Sequence, residues 1–205
     1  MKKLIPAIIL FFTIISIISC ESSSRKLPIL GEREFINGDS VYHTIPDFSF
    51  VNQDNQTITN KNYEGKIYVA DFFFTTCPTI CPIMKKQMLR VYEKFKENPK
   101  VGILSHSIDP RHDSVQVLKE YAARLGVKSK MWNFVTGEKR KIYEIGEKSY
   151  YVTAGEDSTA AGGIIHSGAF ILVDTKRRVR GVYDGTKETD VTKLLKDMDV
   201  LLNEK

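Results

Sequence analysis

Two cysteines stand four residues apart in the stretch FFFTTCPTIC, residues 72–81, directly after an aromatic run. Helix-like apolar spacing begins three residues after Cys81, at Met84, so Cys77 is predicted to follow a strand and Cys81 to lie at the start of a helix. A thiol near a helix N-terminus meets free N–H groups and the positive end of the helix dipole, which favour the thiolate. Two thiolates placed in this way could close a disulfide or hold a soft metal ion.

The first twenty residues, MKKLIPAIILFFTIISIISC, have the layout of an export signal. Lys2 and Lys3 form a basic start, and the apolar segment that follows is short for a membrane-spanning helix, which needs about 20 residues. Residues 17–20 resemble a bacterial lipobox, with Ile where Leu is usual. We therefore expect residues 1–19 to be removed and Cys20 to be lipidated. The alternative is an uncleaved N-terminal anchor, which leaves the protein on the same side of the membrane.

Lipidation of Cys20 would leave Cys77 and Cys81 as an isolated pair in an exported protein. A structural disulfide between them would close a loop of only five residues and would remove little entropy from the unfolded chain. Structural stapling is therefore a weak explanation for their spacing. Chemistry at the two sulfurs is the better hypothesis.

The composition and charge of the chain limit how it can be organised. It has 205 residues and a formal net charge of +5, which falls to +3 once Lys2 and Lys3 leave with the signal. Residues 20–45 begin with a polar run and show no sustained periodicity, so they are predicted to be a tether. Residues 46–205 suit one domain with a sizeable core. No basic cluster is interleaved with aromatic residues, so nucleic acid is not an expected partner, and nothing demands more than a monomer.

Strand-like and helix-like segments alternate along this domain. The strand-like segments are 47–59 as a hairpin, 66–74, 101–108, 132–137, and 167–174 with 177–185 as a second hairpin. The helix-like segments are 82–95, a helix from Asp113 as cap to Gly126 as stop, 138–149 and 191–202. This order predicts an α/β protein with a mixed sheet and helices on both faces, in a thioredoxin-like three-layer fold with an N-terminal β-hairpin.

Residues 150–166, YYVTAGEDSTAAGGIIH, are too long for a simple connection and end at His166. The chain offers three other imidazoles. His43, in the predicted tether, is expected to be solvated; His106, in the middle of a strand, is expected to be a core or edge residue; His112 is expected in an exposed loop. A loop that ends at His166 could swing over the cysteines, but spacing alone leaves the choice of histidine open.

The spacing of the cysteines separates their possible uses. Three residues lie between Cys77 and Cys81, one more than in the Cys-x-x-Cys of dithiol oxidoreductases resembling thioredoxin, so both sulfurs can face one ion. A structural zinc site normally has four protein ligands. No further cysteine remains for such a site once Cys20 is lipidated. Two thiolates with one imidazole suit Cu(I), which accepts soft donors and low coordination.

Three segments together resemble the Sco (SenC) family of copper-binding, thioredoxin-like proteins. Residues 71–84, DFFFTTCPTICPIM, are similar to its Cys-Pro-x-x-Cys-Pro signature. Residues 105–126, SHSIDPRHDSVQVLKEYAARLG, resemble its strand–Asp-Pro–helix segment, and residues 162–174, GGIIHSGAFILVD, resemble its His-Ser segment. The similarity runs from about residue 45 to the C-terminus and departs from the usual pattern at Gly168, directly after His-Ser.

The resemblance implies a copper metallochaperone that assists assembly of the binuclear copper centre of a haem–copper (cytochrome c) oxidase. By motif position, Cys77, Cys81 and His166 inherit the metal-ligand role, with one copper per monomer as Cu(I), Cu(II) or both, and Asp109 lies close to the metal. Residues 150–165 would form a mobile loop or hairpin insertion that controls metal entry. The expected partners are a copper-receiving oxidase subunit or another exported cuproprotein. A lipid anchor would hold the protein to a membrane, facing the periplasm or extracytoplasmic space.

The main alternative is an exported thiol–disulfide oxidoreductase, which needs Cys77 and Cys81 and has no use for His166 as a ligand. The resemblance implies that the two roles can coexist. A peroxidase resembling peroxiredoxins is disfavoured, because those enzymes need Thr three residues before the reactive cysteine and Phe74 occupies that position. The chain is thus predicted to be chiefly a metallochaperone, with thiol–disulfide reduction as its candidate enzymatic activity.

Overall fold

The computed structural model describes residues 26–128, 130–156 and 164–204, with the side chains of residues 154–156 and 164–166 outside the description. The strands are β1 (Arg33–Ile36), β2 (Asp39–Tyr42), β3 (Ser49–Asn52), β4 (Thr57–Thr59), β5 (Ile67–Phe73), β6 (Val101–Ser107), β7 (Trp132–Thr136), β8 (Ala154–Glu156), β9 (Ile164–His166), β10 (Ala169–Val173) and β11 (Val179–Asp184). The α-helices are α1 (Ile80–Phe95), α2 (Val115–Arg124), α3 (Lys139–Ser149) and α4 (Glu188–Asn203).

In the described part of the chain, seven strands form the main sheet in the order β11–β10–β5–β6–β7–β3–β4. Strands β5, β6 and β7 run parallel to one another, and the other neighbours are antiparallel. Parallel strands end at the same edge of a sheet, which is where ligands collect in α/β folds. We call the edge at the carboxyl ends of β5, β6 and β7 the dithiol edge, because Cys77 follows β5 there.

Helices cover both faces of this sheet. Strand β5 is buried along its whole length, and its alternate side chains reach opposite layers. The Phe73 ring contacts Lys85 of α1 and Tyr121 of α2, and α4 packs beside α1. The Phe72 ring faces the other layer, where a Cβ added to Gly146 of α3 would lie only 3.1 Å from it. The predicted three-layer, thioredoxin-like α/β architecture is therefore confirmed.

The predicted strands and helices of the domain are present, with small changes at their ends. Helix α2 shows one such change. Its cap is Ser114, whose Oγ accepts the N–H of Val117 at 3.4 Å, so the prediction that Asp113 caps this helix was wrong. The stop at Gly126 is confirmed, with a φ of +72° that favours glycine. Because Ser114 makes the cap, the Asp113 carboxylate is available for hydrogen bonds elsewhere.

The predicted tether, residues 20–45, is too long, because the chain packs on the domain from Leu27 onward and again at Ile45. Leu27 and Ile45 are buried in the core. Strands β1 and β2 form an additional hairpin, and its turn residues Asn37 and Gly38 have φ values of 53° and 88°, as two-residue hairpin turns require. These strands are short and exposed, so they lack the alternation that reveals a half-buried strand.

Arg180 of β11 fastens this N-terminal segment to the sheet. Its guanidinium donates to the carbonyl oxygens of Leu27 at 2.6 Å and Pro28 at 3.0 Å. It also pairs with Asp174 at 3.0 Å and with Glu204, just beyond α4, at 2.7 Å. Arg180 is buried, and charge-assisted hydrogen bonds are the strong kind. The start and the end of the described chain are therefore held at the same end of β11.

Candidate metal and thiol site

Cys77 and Cys81 lie together at the dithiol edge. Cys77 is in the loop after β5, and α1 begins at Ile80, two residues before the predicted start at Pro82, so Cys81 lies inside the first turn. Pro82 fits there because the first turn of a helix leaves its N–H groups without intrahelical partners. Both side chains are buried thiols, with 8% and 2% exposure, and a hydrogen bond joins them. The hydroxyl of Thr79 lies 3.7 Å from Sγ of Cys77.

The two thiols differ in acidity. Burial alone would raise the pKa of Cys77, but hydrogen bonds from the N–H groups of Thr79 and Cys81 and from the Cys81 thiol lower it below its ordinary value. Burial raises the pKa of Cys81 to about 12; the hydrogen bond to Cys77 also raises it, while the Phe74 backbone and the charge of Lys85 oppose the shift. Only the thiolate is nucleophilic. Cys77 is therefore the more reactive of the two sulfurs.

A buried carboxylate, Asp113, holds the loop that carries Cys77. Its Oδ1 accepts the Thr75 hydroxyl at 2.5 Å, and its Oδ2 accepts the Thr75 N–H at 3.1 Å and the Ser107 hydroxyl at 2.6 Å. Nδ1 of His112 lies 3.2 Å from Oδ1. Asp113 thus ties the residue two before Cys77 to the end of β6. Sequence reasoning missed this role, and the only available signal was its place in the segment that resembles the Sco family.

A buried ion pair lies one helical turn from Cys81. The ammonium group of Lys85 is 2.5 Å from Oδ2 of Asp71 on β5, with side-chain exposures of 2% and 0%. Lys85 also donates to Oγ of Ser105 at 3.2 Å, Ser105 donates to the other oxygen of Asp71, and the indole N–H of Trp132 donates to Ser105 at 2.9 Å. The network fastens the first half of α1 to the sheet. Sequence analysis did not identify it.

A cavity of about 340 Å³ opens beside the two sulfurs. It is lined by Thr75, Cys77, Cys81, Pro82, Lys85, Lys86, Leu89, Tyr121 and Leu125. A larger cavity, about 560 Å³, lies between α3 and residues 46–50 and is lined by neither cysteine. The smaller cavity is the functional candidate, because it gives a partner access to the reactive thiol.

The predicted insertion before His166 contains a hairpin. The backbones of β8 and β9 pair antiparallel, and His166 is the last residue of β9. Its side chain, like the whole of residues 157–163, lies outside the described part. Two residues later, a Cβ added to Gly168 would lie 3.8 Å from the side chain of Ile80, the residue before Cys81. The backbone that follows His166 therefore runs next to the start of α1.

Two of the other histidines lie in separate surroundings. His43 is half-buried rather than solvated as predicted: its Nε2 is 3.3 Å from the carbonyl oxygen of Ser149, and its ring lies 5.1 Å from that of Tyr151. His112 is exposed, as predicted, and contacts Asp113. Within the described residues, no three His, Cys, Asp or Glu side chains are grouped so that they could hold a metal ion.

Asp109 forms the turn after β6 through its backbone. Its carbonyl oxygen accepts the N–H groups of His112 at 3.1 Å and Asp113 at 2.9 Å, and its N–H donates to Oγ of Ser107 at 3.2 Å. The turn brings Asp113 back toward the loop of Cys77. A position of the Asp109 carboxylate next to a bound metal stays a prediction.

His106 is fully buried, and neither ring nitrogen has a hydrogen-bond partner among the described residues. Its ring stacks on Phe72 at 4.6 Å and meets Phe50 edge-on at 5.6 Å and Tyr150 at 5.4 Å. It is the core histidine that the strand pattern predicted, but its polar atoms are unsatisfied. Burial lowers the pKa of His106 to about 4, although the charge of Asp71 opposes the shift.

Acid should destabilise the protein through His106. In the unfolded chain this histidine takes up a proton near its ordinary pKa of 6.5, and in the folded protein near 4. Between these values the unfolded state binds more protons, so stability falls as the pH falls, by about 3 kcal/mol in all. Urea unfolding between neutral pH and about pH 4 should show this loss, and His106→Phe should remove that part of it. An unchanged pH dependence in this variant, matching a His112→Gln control, would contradict the assignment.

Cys20 and the signal segment, residues 1–19, lie outside the described residues, so lipidation stays a prediction. In the part of the chain that the structure describes, no helix is both long and apolar enough to cross a membrane.

Comparison with known proteins gives a consistent result. A family model described as SCO1/SenC matches residues 37–202, which include the main sheet, both cysteines and His166.

Three solved structures are similar over nearly the same part of the chain. A SCO1/SenC family lipoprotein from Bacillus anthracis is 30% identical with a TM-score of 0.71, over 78% of this chain and 95% of that one. BsSco, described as a member of the Sco family of cytochrome c oxidase assembly proteins with a disulfide switch, is 32% identical with a TM-score of 0.70, over 80% and 95%. Arabidopsis thaliana ScoI with copper bound is 26% identical with a TM-score of 0.64, over 78% and 98%.

Proposed function

The chain belongs to the SCO1/SenC family, and on that basis we propose that it is an exported copper metallochaperone that assists assembly of the binuclear copper centre of a cytochrome c oxidase. Copper is the cargo in this proposal, carried as one ion per monomer. BsSco is described as belonging to a family of oxidase assembly proteins, and the Arabidopsis relative has copper bound, which supports both parts of the proposal.

The observation that carries the proposal is the hydrogen-bonded pair of reduced cysteines at the dithiol edge. Two thiolates are soft donors that suit Cu(I). Cys77 loses its proton readily, whereas Cys81 must give up its proton as the metal binds, so binding releases protons. The adjoining cavity gives a donor or acceptor protein a path to the sulfurs.

His166 is the proposed third ligand. Its support is the similarity of its segment to the family motif, together with the contact that brings Gly168 beside Ile80 at the start of α1. Neutral imidazole is a suitable copper donor and would complete a three-coordinate site with the two thiolates. Asp109 is proposed to lie near the metal without binding it.

We propose that a lipid on Cys20 holds the protein to a membrane on the periplasmic or extracytoplasmic side. The description of the Bacillus anthracis relative as a lipoprotein supports this anchor. The partner is an oxidase subunit that receives copper, or another exported copper protein. Copper transfer would take place by ligand exchange at the dithiol edge, where both sulfurs are reached from the same cavity.

A Cu(I) titration of the reduced full chain tests this function. Competition with a chromophoric Cu(I) chelator should give one copper per monomer, because one dithiol site is present in the described residues. Oxidation of Cys77 and Cys81 to a disulfide removes both thiolates and should abolish binding. Copper retained by the oxidised chain would overturn the proposed site.

The unequal acidity of the two thiols favours a second function, the reduction of a partner's disulfide. The Cys77 thiolate would attack one partner sulfur, forming a mixed disulfide and releasing the other partner sulfur, which takes up a proton. Cys81 would then lose its proton and attack Sγ of Cys77, which breaks the mixed disulfide and releases the remaining partner sulfur, and that sulfur also takes up a proton. The partner leaves with two thiols and two electrons, and Cys77 and Cys81 are left as a disulfide.

This second function predicts a large difference in alkylation. At about pH 7, Cys77 in a Cys81→Ser chain should react with iodoacetamide at least about tenfold faster than Cys81 in a Cys77→Ser chain. Mass spectrometry of timed samples measures both rates, and the same variants unfolded in urea serve as controls, where the rates should converge. Equal rates in the folded variants would contradict the assignment of Cys77 as nucleophile.

A further inference from the structure

A row of lysines lies at the edge of the sheet opposite the dithiol edge. Lys66 and Lys100 come directly before β5 and β6, and Lys130 comes two residues before β7. Because these strands are parallel, the three lysines share the edge at their amino ends. Lys176, in the turn between β10 and β11, joins them, because β10 is antiparallel to β5 and ends where β5 begins. We call these four lysines the basic edge.

The basic edge carries an excess of positive charge. Lys100, Lys130 and Lys176 are exposed and Lys66 is half-buried, and none of the four forms an ion pair within residues 26–128, 130–156 and 164–204. Lys100 and Lys176 line one surface cavity, and Lys61 joins Lys176 on a second.

The nearest carboxylates that are at least partly buried already have cationic partners. Asp174 pairs with Arg178 and Arg180, and Glu204 pairs with Arg180. Exposed Glu64 and Glu97 offset only part of the lysine charge. The four lysines lie at the ends of the neighbouring strands β10, β5, β6 and β7, so the positive charge extends along the edge beyond the cavity that Lys100 and Lys176 share.

The N-terminal chain reaches the domain at this same edge. Arg180 binds the carbonyl oxygens of Leu27 and Pro28, and the N–H of Leu30 donates to Val179, the first residue of β11. Only residues 21–26 separate Leu27 from Cys20, so the two residues lie at most about 25 Å apart. A chain anchored at Cys20 therefore keeps the basic edge within reach of the bilayer.

We propose that the basic edge binds anionic phospholipid headgroups, so that the domain sits on the membrane with its dithiol edge pointing away. This inference rests on the proposed lipid anchor at Cys20 and does not depend on copper binding. The complementary charge and the short tether together identify the partner as a lipid surface. The seven-residue strand β5 lifts the cysteines roughly 20 Å further from the headgroups, at the height where a membrane-bound acceptor would meet them.

Energy transfer from tryptophan to the bilayer tests the orientation. Trp132 is the only tryptophan of the chain and begins β7, near the basic edge. The full chain, with its lipid, is reconstituted into vesicles that contain dansyl-phosphatidylethanolamine, either in phosphatidylcholine alone or with about a third phosphatidylglycerol. Transfer should be roughly twofold greater in the anionic vesicles and should return to the neutral value in about 1 M NaCl, where the Debye length is about 3 Å.

Two sets of lysine variants test whether the basic edge is the surface that responds to anionic lipid. Lys66→Gln/Lys100→Gln/Lys130→Gln/Lys176→Gln should lose the response to anionic lipid. A control that removes the same number of lysine charges elsewhere, at Lys119, Lys141, Lys148 and Lys193, should keep it. Equal transfer in both vesicle types, or equal loss in both variants, overturns the proposal. The Cu(I) titration of the first variant should be unchanged, so failure of the metal site and failure of the lipid surface are distinguishable.

Discussion

Replacing Cys81 with serine is expected to lower the affinity for Cu(I) more than any single change outside the two cysteines. A hydroxyl is a hard, neutral donor and cannot replace a thiolate on a soft ion. Substitutions of groups that only orient metal ligands typically cost about 10–100-fold in affinity, so loss of a direct sulfur ligand should cost on the order of 10³-fold or more. Competition with a Cu(I) chelator at fixed pH measures the affinity, and Cys77→Ser should behave alike.

The same Cu(I) titration of a His166 variant distinguishes a copper site from a dithiol that serves only as a redox couple. His166→Ala should weaken Cu(I) binding by roughly 10–100-fold or more, because the ion is left with two donors. His112→Ala is the matched control, since His112 is an exposed histidine near the same edge and should leave affinity unchanged. If His166→Ala binds as tightly as the control, the histidine is not a ligand. The dithiol would then be better explained as a redox couple.

Replacing Lys85 with methionine is expected to be the most destabilising single substitution outside the apolar core. The change leaves the Asp71 carboxylate buried without its cation, and breaking a buried pair in this way costs about 3–5 kcal/mol. Urea denaturation should show a lower midpoint at an unchanged slope, which identifies a true loss of stability. Met keeps much of the lysine stem's volume, so the loss reports the charge rather than a cavity.

Two further variants make this prediction specific. The double change Lys85→Met/Asp71→Leu removes both charges and should recover most of the lost stability, because apolar replacements of buried pairs are often neutral or better. Lys94→Met breaks the ion pair with Asp199, whose partners are 39% and 51% exposed, and should cost less than about 1 kcal/mol. A Lys85→Met chain as stable as Lys94→Met would show that the buried pair contributes little.

Much of the fold could be predicted from local patterns. Strand β5 is a run of apolar and aromatic residues interrupted at Asp71, and α1 has apolar side chains at helical intervals through Met84, Met88 and Tyr92. The turn signals at Gly126 and between β10 and β11 also appear directly in the sequence. Such patterns are strong because periodicity and turn chemistry depend on neighbouring residues alone. The hairpin of β1 and β2 was not predicted, because neither strand buries one face and so neither shows an alternating pattern in the sequence.

The supports around the cysteines could not be predicted in the same way. Lys85 lies next to Met84 on a charged stretch of α1 and looks like a solvated lysine, until the sheet places Asp71 and Ser105 against it. Asp113 looks like a helix cap, but the adjacent Ser114 makes the cap and Asp113 bonds to Thr75 instead. These contacts join residues 14 to 38 positions apart. No short-range pattern encodes them.

The sequence by itself determined which chemistry to expect of this protein: two soft donors at the junction of a strand and a helix, a histidine after a long insertion, and an N-terminal segment predicted to be an export signal. Those features depend on residue type and spacing. The tertiary structure decided which thiol ionises, which carboxylate holds the cysteine loop, and which edge of the sheet carries the lysines. Acidity, pairing and surface charge are set by burial and by neighbours across the sheet, and only folding brings those neighbours together.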